Sequence, residues 1–449
     1  MSNGISKTDL NLIPAGYKQT EVGVIPEDWE VSQLRDLLKT PPKYGINAPA
    51  VPLEGKLPVY IRITDISEDG YFKPSEKVGV KSQFSSQYQL ANGDIVLART
   101  GASVGKSYLY KEHDGTLIYA GFLIKVSPDK DILEPRFLFQ YLQTQRYWSW
   151  VNVNSMRSGQ PGINGNEYGS LFVPLPKIDE QTTIANALSD VDLLISELEK
   201  LIAKKQAIKT ATMQQLLTGR TRLPQFALRE DGSKKGTKQS ELGEIPEDWE
   251  IGTIGDNCKT YSGGTPSTSN KNFYGGDVKW ITSSDLNLGV IHDVAGRITD
   301  SGLNGSSAKL VAAGTLLIAL YGATAGVCAI TRITAAINQA VLAIIPAKYN
   351  SEYLFYWLTK HKEMIIETYT QGGQPNLSGD IIRSIKLAFP PINEQTAIAT
   401  ILSDMDEEIQ VLEQRLSKTR QIKQGMMQEL LTGKTRLVQL SPTDVCHVD

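Results

Sequence analysis

The 449-residue sequence is poor in the residues that build disulfides and metal sites. Its three cysteines, Cys258, Cys328 and Cys446, form no Cys-x-x-Cys pair, and its four histidines show no metal-ligand spacing. These absences exclude a disulfide framework and a structural zinc site, and they favour a reducing compartment such as the cytoplasm. The amino terminus shows no basic-then-apolar signal segment, which also predicts a cytoplasmic location.

The sequence also lacks an excess of positive charge. It has 46 Lys and Arg residues against 49 Asp and Glu, and its isoelectric point is near 6.0. Because a stand-alone DNA-binding protein usually carries a basic surface, this charge balance is not the pattern expected of one. The composition is otherwise that of a globular protein, and the length predicts two or three domains.

The chain contains one unit of roughly 215 residues twice. Residues 18–30 read KQTEVGVIPEDWE and residues 238–250 read KQSELGEIPEDWE, an offset of 220. Residues 178–223 and 392–437 align without a gap at an offset of 214, with 25 of 46 positions identical. Weaker matches keep the alignment through the middle of each copy: 61–66 with 281–286, 94–101 with 314–322, and 158–161 with 372–375. The duplication predicts a pseudo-two-fold internal repeat.

The repeat also resolves the meaning of an uncharged run at 310–331, which is about as long as a membrane-spanning helix. Gly314, Gly322 and Gly326 interrupt this run, and the matching stretch of the first copy carries Arg99 and Lys106. We therefore predict strand, turn and strand inside a protein core.

The closely matched flanks predict long helices. Apolar residues recur with alternating spacings of four and three, which is the pattern of a coiled-coil seam. The seam residues are Ile184, Leu188, Val191, Ile195, Leu198 and Ile202 in the first copy, and Ile398, Leu402, Met405, Ile409, Leu412 and Leu416 in the second. Asp179 and Asn393 are expected as N-caps and Gly219 and Gly433 as C-terminal stops, which gives helices of about 39 residues and roughly 58 Å. Each seam is expected to pack on its twin, although tertiary neighbours could cover the two seams separately.

The middles of the two copies predict mixed α/β domains. Strands are expected at 59–66, 94–98, 278–283 and 315–320, and single amphipathic helices at 137–150 and 353–369. Residues 224–240 are polar and rich in Gly, Ser and Lys, which predicts a linker between the copies.

The sequence shows no catalytic signature. Residues 99–107 (RTGASVGKS) resemble a phosphate-binding P-loop, but they have three residues between the glycines where that motif needs four. The second copy keeps the glycine spacing and has Val327 in place of the lysine, which indicates a tight turn. No dinucleotide or S-adenosylmethionine fingerprint and no Ser or Cys nucleophile motif is present. A duplicated chain without catalytic motifs, with shared flanks and divergent middles, suggests a binding protein.

Several motifs together resemble the specificity subunits of type I restriction–modification systems, from Tyr17 to Leu437. They are EVGVIPEDWE at 21–30, ELGEIPEDWE at 241–250, GGTP at 263–266, WITSSDL at 280–286, GGQPNL at 372–377, and the helix openings Pro176…Glu180-Gln181 and Pro390…Glu394-Gln395. The first copy departs from this pattern with KYGIN at 43–47 in place of GGTP.

The resemblance implies two α/β (α+β) target-recognition domains per chain, joined by two long antiparallel coiled-coil helices. The implied domains are 1–176 for the first recognition domain, 177–222 for the first conserved helix, 223–240 for the linker, 241–390 for the second recognition domain, 391–437 for the second conserved helix, and 438–449 for the tail. An antiparallel pair would return the tail after Leu437 to residues 1–20.

The resemblance also implies partners. They are double-stranded DNA, two modification subunits that methylate adenine, and two restriction subunits that translocate and cleave. S-adenosylmethionine, ATP and Mg²⁺ would be held by those subunits, so this chain is expected to be non-catalytic and to have no cofactor or metal of its own.

Arg, Lys, Asn and Gln suit contacts to guanine and adenine edges, and basic loops suit phosphates. The DNA-binding candidates of the first domain are Lys43, Tyr44, Asn47, Arg62, Thr64, Arg99, Ser103, Lys106, Arg157 and Gln160. Those of the second domain are Thr265, Ser267, Asn270, Lys271, Lys279, Ser283, Tyr321, Thr324, Gln374 and Asn376. Two other hypotheses stay open: a self-sufficient DNA methyltransferase or endonuclease with duplicated recognition domains, and a coiled-coil scaffold without a DNA role.

Overall fold

The computed structural model describes residues 13–156, 160–369 and 376–437. They form two compact units. Unit 1 comprises the described residues of 1–199 and 414–449, and unit 2 comprises those of 200–413. Each unit therefore contains one copy's α/β domain together with a part of both long helices. No helix in the described ranges combines the length and apolar character needed to cross a membrane.

Unit 1 is built from short strands, four helices of which the last continues into unit 2, and the final part of the second long helix. The strands are β1 (Tyr17–Thr20), β2 (Gly23–Pro26), β3 (Glu30–Gln33), β4 (Leu38–Tyr44), β5 (Ala50–Pro52), β6 (Val59–Ile61), β7 (Val78–Val80), β8 (Ile95–Ala98), β9 (Ser107–Leu109), β10 (Leu117–Tyr119), β11 (Leu123–Pro128) and β12 (Phe172–Leu175). The helices are α1 (Pro135–Tyr141), α2 (Gln145–Ser155), α3 (Gly165–Gly169) and α4 (Ile178–Leu216).

Unit 2 repeats this architecture. Its strands are β13 (Thr237–Ser240), β14 (Gly243–Pro246), β15 (Glu250–Thr253), β16 (Cys258–Ser262), β17 (Tyr274–Ile281), β18 (Val290–Ile291), β19 (Arg297–Ile298), β20 (Lys309–Val311), β21 (Leu316–Ala319), β22 (Cys328–Thr331), β23 (Ala335–Ile337), β24 (Val341–Pro346) and β25 (Lys386–Phe389). Its helices are α5 (Pro224–Ala227), α6 (Ile254–Asn257), α7 (Asp300–Asn304), α8 (Ser351–Tyr369), α9 (Gly379–Ser384) and α10 (Ile392–Leu430).

The two units share their sheet order. The sheet β4-β11-β8-β9 of unit 1 corresponds to β16-β24-β21-β22 of unit 2, where β18 adds a fifth strand. In both units a second sheet contains one parallel pair, β6 with β10 and β17 with β23. Two-stranded ribbons also recur, β3 with β12 and β15 with β25. The predicted duplicated α/β unit is confirmed.

The uncharged run contains the predicted strands and turn. β21 and β22 pair as antiparallel neighbours, and all eight of their residues are buried. Aromatic residues of the predicted helices also lie in the cores: Phe137 and Tyr147 in unit 1, Tyr353 and Trp357 in unit 2.

The long helices have the predicted length of 39 residues each, and they run antiparallel within each unit. In unit 1, Asp192 and Glu199 of α4 pair with Lys423 and Arg420 of α10, so the partner number falls as the α4 number rises. In unit 2, Lys205 pairs with Glu408 at 2.6 Å and Lys209 with Asp406. The offset of 214 relates Asp192 to Asp406 and Lys423 to Lys209, so the same ion pair occurs in both units.

The domain cores cover the first turns of each seam. Ile184 and Leu188 belong to the core of unit 1, and Ile398 and Leu402 to that of unit 2. Leu198, Ile202 and Ile409 are buried, while the remaining five seam residues, Val191, Ile195, Met405, Leu412 and Leu416, are half-buried. Tertiary neighbours therefore cover the beginning of each seam, as the alternative interpretation expected.

The predicted N-caps were wrong. The helices begin at Ile178 and Ile392, so Asp179 and Asn393 are already helical. Two buried glutamines organise these helix openings through tertiary contacts. The Gln181 amide donates to Pro176 O at 2.8 Å and accepts from the Glu134 backbone at 2.9 Å, and Gln395 does the same with Pro390 and Asn350. The predicted C-terminal stops are confirmed, because Gly219 and Gly433 have φ of 69° and 68°, a left-handed conformation that favours glycine.

Two further local predictions need correction. The strand predicted at 59–66 ends at Ile61, because the Asp65 carboxylate accepts the Arg62 amide at 2.8 Å and closes a turn. The helix predicted at 137–150 is two helices, α1 and α2, and Thr144 caps the second. The segment predicted as a linker, 224–240, contains α5 and β13.

An arginine closes the junction between the end of one long helix and the opening segment of a domain in each unit. In unit 2, Arg222 contacts both Asp248 oxygens at 2.8 and 3.0 Å and both Glu394 oxygens at 2.6 Å. In unit 1, Arg436 makes the same contacts with Asp28 and Glu180. We call these the unit 2 clasp (Arg222, Asp248, Glu394) and the unit 1 clasp (Arg436, Asp28, Glu180).

The unit 1 clasp brings the end of α10 to the amino-terminal segment of the same unit. The Tyr17 hydroxyl donates to Gly433 O at 3.0 Å. This contact is what an antiparallel helix pair requires, although residues 1–12 and the tail after Leu437 lie outside the described ranges.

Candidate nucleic-acid interface

A glycine turn organises the same surface in both units. It joins β8 to β9 through Gly101 and Gly105, with φ of 73° and 90°, and β21 to β22 through Gly322 and Gly326, with φ of 71° and 75°. The predicted tight turn is therefore present in both copies. Lys106 forms an ion pair with Glu68 at 2.6 Å. The segment that resembles a P-loop is therefore a structural glycine turn followed by a lysine that is paired within the protein.

A returning loop packs beside this turn and fixes corresponding positions. The Ile163 amide donates to Arg99 O at 2.9 Å, and the Leu377 amide donates to Leu320 O at 2.7 Å. On the other side, the Arg99 and Leu320 amides donate to Phe122 O and Ala340 O. Arg99 and Leu320 thus occupy the same backbone position in the two units.

Unit 1 has a concave site of about 690 Å³ on this frame. The site collects five of the ten residues predicted for the first domain. Its lining residues are Tyr44, Gly45, Asn47, Ala48, Ala50, Tyr60, Arg62, Ile63, Thr64, Arg99, Ala120, Gly121 and Phe122. A cavity with aromatic walls and a few polar groups suits a nucleobase edge or a sugar–phosphate segment.

The centre of the site is an arginine stacked on a tyrosine. The Arg99 guanidinium lies 4.9 Å from the centroid of the Tyr44 ring, a cation–π distance. The Tyr44 hydroxyl accepts the Gly165 amide at 3.1 Å, which holds the ring in place. Gly45, the next residue, lies so close to Ala120 O that a β-carbon at position 45 would be 2.1 Å from this oxygen. These contacts present the guanidinium from a rigid support.

Two aromatic residues that line the site, Phe122 and Tyr60, differ in exposure. Phe122 is 59% exposed, whereas Tyr60 is buried and its hydroxyl donates to Ile46 O at 2.9 Å. Burial raises the pKa of Tyr60, so this phenol stays a neutral donor. Neither residue was among the sequence candidates; an apolar Phe directly after Gly121 in a turn was the available signal for the first.

Arg62 is already committed to an intramolecular partner. Its guanidinium contacts Asp65 through Nε at 3.0 Å and through a terminal nitrogen at 2.8 Å, and Asp65 is buried. The hydrogen bond to Asp65 raises the pKa of Arg62. Arg62 therefore shapes the wall of the site while most of its charge is neutralised.

The structure places the other first-domain candidates around the site or outside it. Lys43 and Gln160 are exposed, and Ser103 is half-exposed in the glycine turn. Lys106 lies in the ion pair with Glu68, and Arg157 lies outside the described residues.

Unit 2 carries an uncharged cluster on the corresponding frame. Gln339 receives the Thr265 hydroxyl on its side chain and the Tyr321 hydroxyl on its backbone oxygen, the latter at 3.0 Å. Tyr321 also pairs with Asn376 in a β-bridge. Thr265, Tyr321 and Asn376 were predicted, and Gln339 was missed because only the fold brings it beside them.

The remaining second-domain candidates are dispersed. The Thr324 hydroxyl donates a hydrogen bond to Tyr321 O at 3.3 Å, and the Ser267 and Ser269 hydroxyls are hydrogen-bonded at 2.7 Å. Asn270 caps the turn that contains the exposed Lys271, and Lys279 forms an ion pair with Asp293 at 3.0 Å. Ser283 is half-exposed, and Gln374 lies outside the described residues. Within the described ranges, no group of three His, Cys, Asp or Glu residues is arranged to hold a metal ion.

Known proteins resemble both halves of the chain. The model of the type I restriction modification DNA specificity domain matches residues 26–210 and again 246–421. The MjaX type I restriction enzyme specificity subunit of Methanocaldococcus jannaschii is 29% identical over 436 residues, covering 94% of this chain and 97% of that protein. The MjaVIII specificity subunit from the same organism is 26% identical, covering 93% and 95%.

A solved structure shares the fold. The type I restriction–modification system S subunit from M. genitalium superposes with a TM-score of 0.60 at 17% identity, covering 90% of this chain and 96% of that chain. The same family model covers both repeats, and each repeat builds the same α/β frame against the long helices. This chain belongs to the family of type I restriction–modification specificity subunits.

Proposed function

We propose that this chain gives a type I restriction–modification complex its DNA sequence specificity by reading a bipartite, asymmetric site, with one half-site for each recognition domain. The observation that carries the proposal is a common backbone frame with different side chains. At equivalent positions the first domain has Arg99 and the second has Leu320. Because sequence is read by side chains at base edges, two such surfaces would select different bases.

The long helices measure the spacer between the half-sites in this proposal. They also dock the subunits that methylate adenine. The functional boundaries would follow 1–176 and 241–390 for reading, with 177–222 and 391–437 for measuring and docking.

The chemistry belongs to the partners in this proposal. Two modification subunits would hold S-adenosylmethionine, and two restriction subunits would use ATP and Mg²⁺, in the cytoplasm. The chain itself would bind DNA without catalysing a reaction. Its net charge of −3 supports sharing the phosphate contacts with those partners.

Mapping N6-methyladenine in DNA modified by this chain with its methyltransferase partner tests the proposal. The expected motif has two specified parts separated by an unspecified spacer of fixed length. A single continuous motif, or methylation independent of sequence, would contradict it.

The competing hypothesis is a self-sufficient methyltransferase or endonuclease. The purified chain, incubated with labelled S-adenosylmethionine and DNA, is expected to transfer no methyl group and to cut no DNA. Methyl transfer or cleavage by the chain alone would favour the competing hypothesis. A scaffold without a DNA role is less favoured, because it leaves the divergence of the domain surfaces unexplained.

A further inference from the structure

We propose that Arg99 reads a guanine in the first half-site through the major groove, and that the second domain has no counterpart of this contact. The inference rests on the proposed function and adds the chemical identity of one recognised base. Guanine presents N7 and O6 as adjacent acceptors, which match the two donors of a guanidinium.

The backbone and the side chain of Arg99 are both held in place. Its amide donates to Phe122 O at 3.0 Å, and its carbonyl accepts from Ile163 at 2.9 Å. The guanidinium stacks on Tyr44, which is itself fixed by Gly165, and among the described residues its one hydrogen bond is a long 3.5 Å contact to Gly121 O. A supported guanidinium loses less side-chain entropy on binding and keeps donors available for a planar partner.

Two other cations near this surface are engaged within the protein. Arg62 binds Asp65 through two contacts, and Lys106 binds Glu68 at 2.6 Å. In contrast, no described carboxylate forms an ion pair with Arg99. Among the described cations that line the concave site, Arg62 and Arg99, only Arg99 therefore has a charge that is available to a base.

The corresponding position of the second domain cannot make this contact. Leu320 is 3% exposed and makes the same two backbone hydrogen bonds as Arg99. The neighbouring groups, Thr265, Gln339 and Asn376, are neutral hydroxyls and amides. The half-sites should therefore differ in whether a guanine is read from this point of the frame.

The substitution Arg99→Leu tests the inference because it copies the second domain onto the same backbone position. In complex with the methyltransferase partner, the variant is expected to methylate a motif that has lost one guanine of one half-site, with every other specified position retained. Preference for that guanine should fall about 10- to 100-fold. Arg35→Leu is the matched control, because Arg35 is exposed in the same unit and lies outside the lining of the concave site. Its motif should be unchanged.

A second measurement uses the wild-type complex and does not depend on how the variant folds. Each guanine of the mapped half-sites is replaced in turn by 7-deazaguanine, which lacks the N7 acceptor. One position is expected to lose about 10-fold in methylation efficiency in the wild type, and the Arg99→Leu complex should be indifferent to the replacement there.

Three results would overturn the inference: a motif without guanine, no guanine sensitive to loss of N7, or an Arg99→Leu complex with an unchanged motif and uniformly weaker methylation. The last result would mean that Arg99 binds a phosphate. These outcomes leave a bipartite motif in place, whereas failure of the proposed function would abolish the motif itself.

Discussion

The two clasps offer an internal comparison, because the same three side chains sit in different surroundings. We expect Arg222→Met to destabilise the protein much more than Arg436→Met. In the unit 2 clasp, Arg222 is 11% exposed and Glu394 only 1%. In the unit 1 clasp, Arg436 is 34% exposed and Glu180 13%.

The surroundings of the glutamate that loses its arginine partner decide how much stability each variant loses. Glu180 would keep a hydrogen bond from the Trp29 indole at 3.2 Å, whereas the buried Trp249 indole has no hydrogen-bond partner among the described residues. Removing Arg222 therefore leaves the Glu394 charge buried without a partner, which should lower the free energy of unfolding by about 3–5 kcal/mol. Removing Arg436 breaks a partly exposed pair and should cost about 1 kcal/mol.

The unit 2 clasp also predicts a pH dependence. Burial raises the pKa of Asp248, but hydrogen bonds from Arg222 and Lys235 outweigh this effect and lower it to about 2 from 3.8. A lowered carboxyl pKa stabilises the folded state above the unfolded value near 3.8, and this contribution disappears as the pH falls toward 2. The stability gap between wild type and Arg222→Met should therefore narrow below pH 4.

Thermal and urea unfolding of the two variants tests this reasoning. At about 2–4 °C per kcal/mol, Arg222→Met should lower the Tm of the affected transition by about 10 °C and Arg436→Met by a few degrees. The double variant Arg222→Met with Glu394→Gln should recover at least half of the lost stability, because the buried Glu394 charge is gone and Asp248 keeps its ion pair with Lys235. Equal losses in the two single variants, or no recovery in the double variant, would refute the argument.

The remaining predictions concern assembly and reading. Inserting four residues after Lys205 adds about 6 Å of helix and about 40° of rotation. The methylated motif should therefore gain one or two base pairs of spacer while both half-sites stay unchanged. If motif mapping finds the original spacer length, the long helices do not measure the spacer. Residues 1–230 alone should dimerise, because Lys209 and Arg222 are the repeat equivalents of Lys423 and Arg436 and can replace them in a second copy. The dimer should read a symmetric site. A monomer in analytical sedimentation would argue against this prediction. Gln339→Ala should alter only the half-site that Arg99→Leu leaves intact, and motif mapping of both variants checks the assignment.

The glycine turns show what local sequence can specify. Gly101, Gly105, Gly322 and Gly326 all take positive φ, and their shared spacing was enough to predict a tight turn and to reject the P-loop. The helix openings show the opposite case. A local capping rule placed Asp179 and Asn393 at the helix starts, while buried glutamines in contact with distant backbone groups set the actual beginnings.

The candidate site divides in the same way. Tyr44, Asn47, Arg62, Thr64 and Arg99 could be nominated from residue type, and all five line one cavity. Residue type could not distinguish Arg62, which is engaged by a buried carboxylate, from Arg99, which stacks on a ring. Phe122 and Gln339 were missed because strand pairing brings them to the surface beside residues distant in the chain.

The sequence by itself determined the duplication and the two 39-residue helices. Periodicity, glycine conformation and self-similarity can be recognised without knowing which distant residues come into contact. The tertiary structure alone decided which polar side chains meet, which charges are neutralised and how deeply each clasp is buried. Those properties depend on long-range packing and on the solvent exposure that packing leaves, and neither is encoded in any local pattern.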